Sequence, residues 1–194
     1  MAIRVKSQWH TRGDGSKSPQ QVATVIASLI WRVAEEKVSH MQQQKFQIAS
    51  QEQGFAMIAE YLAFLIQYTD RFVYGRVDED YRAALIGAIA KRLAEILEDN
   101  QNTFLGASPD GSYQRRFIDT LNERLADYAT FDYENGEPNY PSRRFLGGKV
   151  LELMPARDQS WTIDQVVEIE IPNALALLKK GLSGLFSEES GTFG

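Results

Sequence analysis

Few residues in this chain combine the type and the spacing that chemistry requires. Glu36 and His40 stand four positions apart in a stretch with helical periodicity, so their side chains meet on one helix face. They could share a metal ion or a proton, with Glu60 or Asp70 as a third carboxylate by type. Two ligands on one helix fall short of the three that a catalytic metal site supplies. The spacing reads as a polar pair at the edge of a core, and neither metal nor cofactor is expected.

Helix carboxylates give a second reading. Glu95 and Glu98 lie at i,i+3, and Glu123 and Asp127 at i,i+4. The first pair resembles the Glu-x-x-Glu with which all-helical nucleotide pyrophosphohydrolases hold magnesium. The second departs from their Glu-x-x-Asp by one residue, which turns Asp127 by about 100° around the helix. A small metal-dependent hydrolase is the alternative function that this likeness implies. Gly13–Ser18 ends in Lys17-Ser18 before a helix, but Ser16 stands where a phosphate loop requires glycine. Neither His10 nor His40 accompanies a serine nucleophile motif.

The richest cluster of recognition residues comes late in the chain. Arg115 and Arg116 follow a turn-forming stretch, while Tyr133, Tyr140, Arg143 and Arg144 surround a segment dense in Pro and Gly. Arg and Tyr dominate binding hot spots because they join planar charge to rigid apolar area. Asn135–Gly148 reads as a long loop, and loops of that length in compact domains are often functional. The competing structural reading has these arginines tying the loop to Asp132, Glu134 or Glu137. The six Arg and Tyr residues form the candidate site, for a protein partner or an anionic ligand.

The surrounding elements read as one all-α domain. With 194 residues, 43% of them hydrophobic, the chain is long enough for a single core and too apolar for wholesale disorder. Without cysteine there is no disulfide, zinc-thiolate site or thiol nucleophile. A net charge of −5 argues against a general nucleic-acid binder. The polar N-terminus lacks the apolar core of a secretory signal, and no apolar run is long enough for a membrane span. The expectation is a cytoplasmic, non-catalytic interaction or regulatory protein.

Ser18-Pro19-Gln20-Gln21 starts a first helix, which continues into the polar stretch before Gly54. Between Phe55 and Val73, 14 of 19 residues are apolar, the mark of a central helix surrounded by others. Asp78–Asn100 forms a third helix, and a fourth, with Phe117, Leu121, Leu125 and Tyr128 inward, ends before Asn135-Gly136. Trp161–Ile171 supports two readings: Thr162-Ile163-Asp164-Gln165 resembles a capping box, whereas Val167–Ile171 alternates like a strand that could pair with Val150–Leu153. Leu175, Leu178, Leu182 and Leu185 line one face of a last helix, and an apolar stripe of this kind suits a homodimer. The expected architecture is a bundle of five to six helices, with a small hairpin admitted near 150–171. A flexible arm over 1–17 and a disordered tail over 187–194 flank the helical domain at 18–186.

Overall fold

The computed structural model describes residues 18–108 and 112–187; the expected N-terminal arm and residues 188–194 of the expected tail lie outside them. Ser187 itself ends the last helix. The chain forms α1 (Pro19–Gln43), α2 (Gln51–Val73), α3 (Glu79–Leu105), α4 (Tyr113–Tyr128), a two-stranded hairpin of β1 (Tyr133–Glu134) and β2 (Glu137–Pro138), then α5 (Tyr140–Glu152) and α6 (Gln159–Gln165). A π-helical turn (Val166–Glu170) carries α6 without interruption into α7 (Ile171–Ser187), so the described residues form six helical rods.

Local chemistry sets the helix starts. At α1 the Gln21 N–H donates to Ser18 Oγ and the Ser18 N–H donates to Gln21 Oε1, a reciprocal box with Pro19 at the first turn. Ser50, Asp78 and Asn139 cap α2, α3 and α5 in the same way through one side-chain acceptor each. The first break differs from expectation. It falls at Gln44–Ser50, where Lys45 takes a left-handed φ of 68°, and Gly54 lies inside α2.

α2 is the axis of the bundle. It packs against α1, α3, α4, α5 and α7, and Tyr61–Ile66, Tyr68 and Thr69 are all buried. Its apolar surround answers the near-continuous hydrophobic composition of the segment. Leu175, Leu178 and Leu182 are also buried, closing the chain's own core against α1 and α2. The stripe on which a homodimer was expected is therefore occupied within the chain.

The stretch Asn135–Gly148 is not a loop. Asn135 and Gly136, with φ of 54° and 78°, make the two-residue turn of the hairpin, which pairs Tyr133 with Pro138 and Glu134 with Glu137. Asn139 then caps α5, so Tyr140 and Arg143 stand on a helix start. The hairpin admitted at 150–171 is also replaced: 150–152 end α5, and the second segment is helical throughout. A strand would have buried Ile169 and exposed Glu170; instead Ile169 is 41% exposed and Glu170 fully buried.

The π turn has a local cause. Pro172 has no N–H, and its ring would meet the carbonyl of Glu168 in a regular helix. The wider turn, with the Ile171 N–H donating to the Val166 carbonyl, makes room for it. α5 approaches this rod closely, and a Cβ on Gly147 would stand 3.3 Å from Val167 and 3.4 Å from Ile163.

The burial of α2 has a measurable consequence. Leu62→Ala or Leu65→Ala should each cost about 2–5 kcal/mol in denaturant unfolding, the range for core leucine truncation. A loss under about 1 kcal/mol at both positions contradicts a central α2.

Candidate functional site

The structure splits the six candidate residues between two ends of the molecule. Arg115 and Arg116 lie in the first turn of α4, whereas Tyr133, Tyr140, Arg143 and Arg144 follow its far end. Arg116 and Tyr128 are separated by 12 positions of one helix, about 18 Å. Arg116 borders a cleft of about 340 Å³ between α2, α3 and α4, where its Nε donates to Ser112 Oγ at 2.8 Å and its guanidinium sits over Tyr113.

The other four residues belong to a larger constellation. The Arg71 guanidinium lies 5.7 Å from the Tyr133 ring centroid, which seats the hairpin on the C-terminal end of α2. Arg76 stacks on Phe72 at 4.1 Å and Arg82 on Tyr74 at 5.2 Å. Lys179 of α7 reaches Glu137 at 2.6 Å, and Phe186 packs on Phe72. This pole therefore joins the end of α2, the start of α3, the hairpin, the start of α5 and the later half of α7. Tyr74 and Tyr140 are exposed on it, at 63% and 50%.

Its charges are unevenly matched. Arg82 is held by Asp70 and Glu79, both at 2.6 Å. Among the described residues, Arg71, Arg76, Arg143 and Arg144 make no ion pair. Glu137, one of the acids expected to tie the loop down, is taken by Lys179, while Asp132 and Glu134 stay exposed at the hairpin edge. Arg143 Nε is buried with no hydrogen-bond partner in the structure. Behind the pole the Tyr133 phenol is raised well above its ordinary range by burial, with Arg71 partly offsetting this. Burial, reinforced by Glu137, pushes Tyr68 up to about 12.

The other sequence-derived candidates resolve differently. Glu36 meets Lys37 at 3.2 Å, and His40 turns away from it. His40 Nδ1 lies 2.7 Å from Oε1 of Glu170, on the π turn, and Gln165 Nε2 donates to the same oxygen at 2.8 Å. Glu170 Oε2 is buried and unpartnered, and the fully buried Tyr61 lies close enough for the carboxylate to reinforce the rise of its phenol pKa. Glu60, the suggested third metal ligand, forms a bidentate pair with Arg124 of α4 at 2.8 and 3.0 Å. Asp70 pairs with Arg82.

Three of the four carboxylates of the hydrolase alternative are likewise engaged. Glu95 meets Arg92 at 3.0 Å, and Glu123 and Asp127 flank Arg124 Nη1 at 3.3 and 3.5 Å. Among the described residues, no three His, Asp or Glu side chains converge as a metal ligand set.

Four contributors escaped the sequence reading. Glu170 was masked by a strand-like alternation, and Arg71, Tyr74 and Arg76 by their place at the end of an apolar helix. Asn135-Gly136 between Tyr133-Glu134 and Glu137-Pro138 was the available signal for the hairpin that gathers the pole. Compared with known proteins, the chain matches no family model, no curated protein and no solved structure.

Two outcomes follow from this geometry. Arg124→Met leaves the Glu60 carboxylate buried and unpaired, and should destabilise by about 3–5 kcal/mol. Adding Glu60→Leu should recover most of that loss in a double-mutant cycle; an additive result contradicts the pairing. Tyr61, Tyr68, Tyr128 and Tyr133 all hold their protons to higher pH folded than unfolded. Their contribution is complete below the ordinary tyrosine value of about 10 and is lost as pH rises through the folded values. Cooperative unfolding should accompany tyrosinate absorbance on the alkaline side, and titration of all eight tyrosines with the fold intact would contradict it.

Proposed function

We propose that this chain is a non-catalytic interaction protein that binds an acidic protein partner through the Tyr/Arg pole. The observation that carries the reading is that four guanidinium groups at this pole have no acid of their own among the described residues, and that Tyr74 and Tyr140 are exposed on it. An unpaired guanidinium offers bidentate donors to a carboxylate, and a tyrosine offers rigid contact area at little entropic cost. The positions are held by a capped helix and a hairpin, so little ordering is required on binding. The competing idea, that Arg143 and Arg144 fasten a loop, loses its support because the segment is already fixed by backbone pairing and Glu137 is bound elsewhere.

Among the described residues, no helix is long and apolar enough to cross a membrane. A partner in the aqueous phase therefore fits the reading, and the compartment we propose is the cytoplasm. Self-association would require a face other than the Leu175–Leu182 stripe.

The test uses a short glutamate-rich peptide as a surrogate partner. Arg143→Ala/Arg144→Ala should keep the melting temperature within a few degrees and weaken the peptide at least about tenfold, roughly the loss of one charge-assisted hydrogen bond. Arg115→Ala/Arg116→Ala, at the other end, should leave binding unchanged. Equal weakening by both double mutants would reduce the effect to net charge, and a destabilised protein with unchanged binding would make the arginines structural; either result overturns the proposal.

A further inference from the structure

A groove of about 480 Å³ lies between α1, α2 and α3, at the end of α2 remote from the Tyr/Arg pole. Its lining includes three aromatic residues, Trp31, Phe55 and Phe104. Phe55 and Phe104 stand with ring centroids 6.2 Å apart and planes inclined by 43°. Phe104 is 61% exposed, although it belongs to a regular helix. Among the residues lining the groove, Glu35 is the sole charged one; it stands four positions after Trp31 and makes no ion pair among the described residues. Gln42 and Asn100 supply uncharged polar atoms. The Asn100 amide donates to the Ile96 carbonyl at 2.7 Å, which leaves its Oδ1 as an acceptor.

Each of these features favours positive charge. Aromatic faces present the negative side of their quadrupole, and the attraction for a cation grows as water is excluded. A carboxylate at the same groove adds a charge of the right sign, and no cationic side chain lines the groove to answer it. The apolar share of the lining, which includes Val38, Ile48 and Ile58, disfavours a strongly hydrated ammonium. It suits a methylated one, whose charge is spread over apolar groups. The volume lies within the range of small-molecule sites.

We propose that the α1–α2–α3 groove is a binding site for a small organic cation of the quaternary ammonium class, with Trp31, Phe55 and Phe104 as its aromatic wall and Glu35 as its counter-charge. The site is separate from the Tyr/Arg pole and does not depend on the reading of that pole.

Choline is the probe, titrated by calorimetry against the whole chain. Its uncharged isostere, with carbon in place of the ammonium nitrogen, is the control. Choline should bind saturably, and the isostere on the order of tenfold more weakly, since only the charge differs. Glu35→Gln and Phe104→Ala alter exposed side chains, so melting temperatures should hold while choline affinity falls by a similar factor. Three results each overturn the proposal: no saturation by choline at tens of millimolar, equal affinity for choline and the isostere, or unchanged affinity in both folded variants.

Discussion

A helix enclosed on every side has no surface on which to leave a charge, and Glu60 lies in the middle of α2. The arrangement works because Arg124 of α4 meets it with two hydrogen bonds, taking the place of the water that the carboxylate has lost. That pair ties the middle of α2 to α4. Tyr128, four residues after Arg124, is thereby set against Phe64, Phe131 and Phe145, an aromatic knot through which α4, the chain leading to the hairpin and α5 are packed on α2. The Tyr/Arg pole is downstream of that knot. Arg71 stands in the last turn of α2 itself and Arg76 just beyond it, and Arg143 and Arg144 reach the same pole through the chain that leaves α4.

A second polar contact closes the other side of the bundle. Pro172 forces a π turn, and the turn brings Glu170 inward to His40 near the end of α1. The rod from α6 to α7 is then tied to α1 by the His40–Glu170 hydrogen bond and to the core by the buried leucines after it. Asp158 adds a third tie at the start of this rod: its Oδ2 accepts the Gln47 N–H at 2.6 Å, and Arg157 and that N–H together hold its carboxyl below the usual carboxylate range. Each of these acids joins elements that are distant in sequence, and each is spent on architecture. Such use of carboxylates distinguishes them from the unanswered Glu35 and from the unanswered arginines of the pole.

Much of the fold was legible because periodicity and caps act locally. Ser18-Pro19-Gln20-Gln21 specifies a helix start by its own hydrogen bonds, and the apolar run of α2 demands enclosure whatever surrounds it. What was not legible depended on distant partners. The alternation at Val167–Ile171 is the same in a strand and in a π turn whose acid is buried; Pro172 was the local cue against the strand, and the partner that receives Glu170, His40, lies 130 positions away. The grouping of the six Arg and Tyr candidates as one site followed from treating Asn135–Gly148 as a loop. With Asn135-Gly136 read as a hairpin turn, the later four separate from Arg115 and Arg116 by the length of α4. Arg71 and Tyr74 carry no local signal, since their role comes from the hairpin laid over them.

The account rests on α2 as the element that every other one is built around. Native-state hydrogen exchange, followed amide by amide, tests this most directly. The amides from Tyr61 to Tyr68 should open only with global unfolding and match the stability measured by denaturant, while α6 and the hairpin exchange through smaller openings. If α2 exchanges through a sub-global opening while α1 and α3 remain protected, the bundle does not depend on it and the central claim fails.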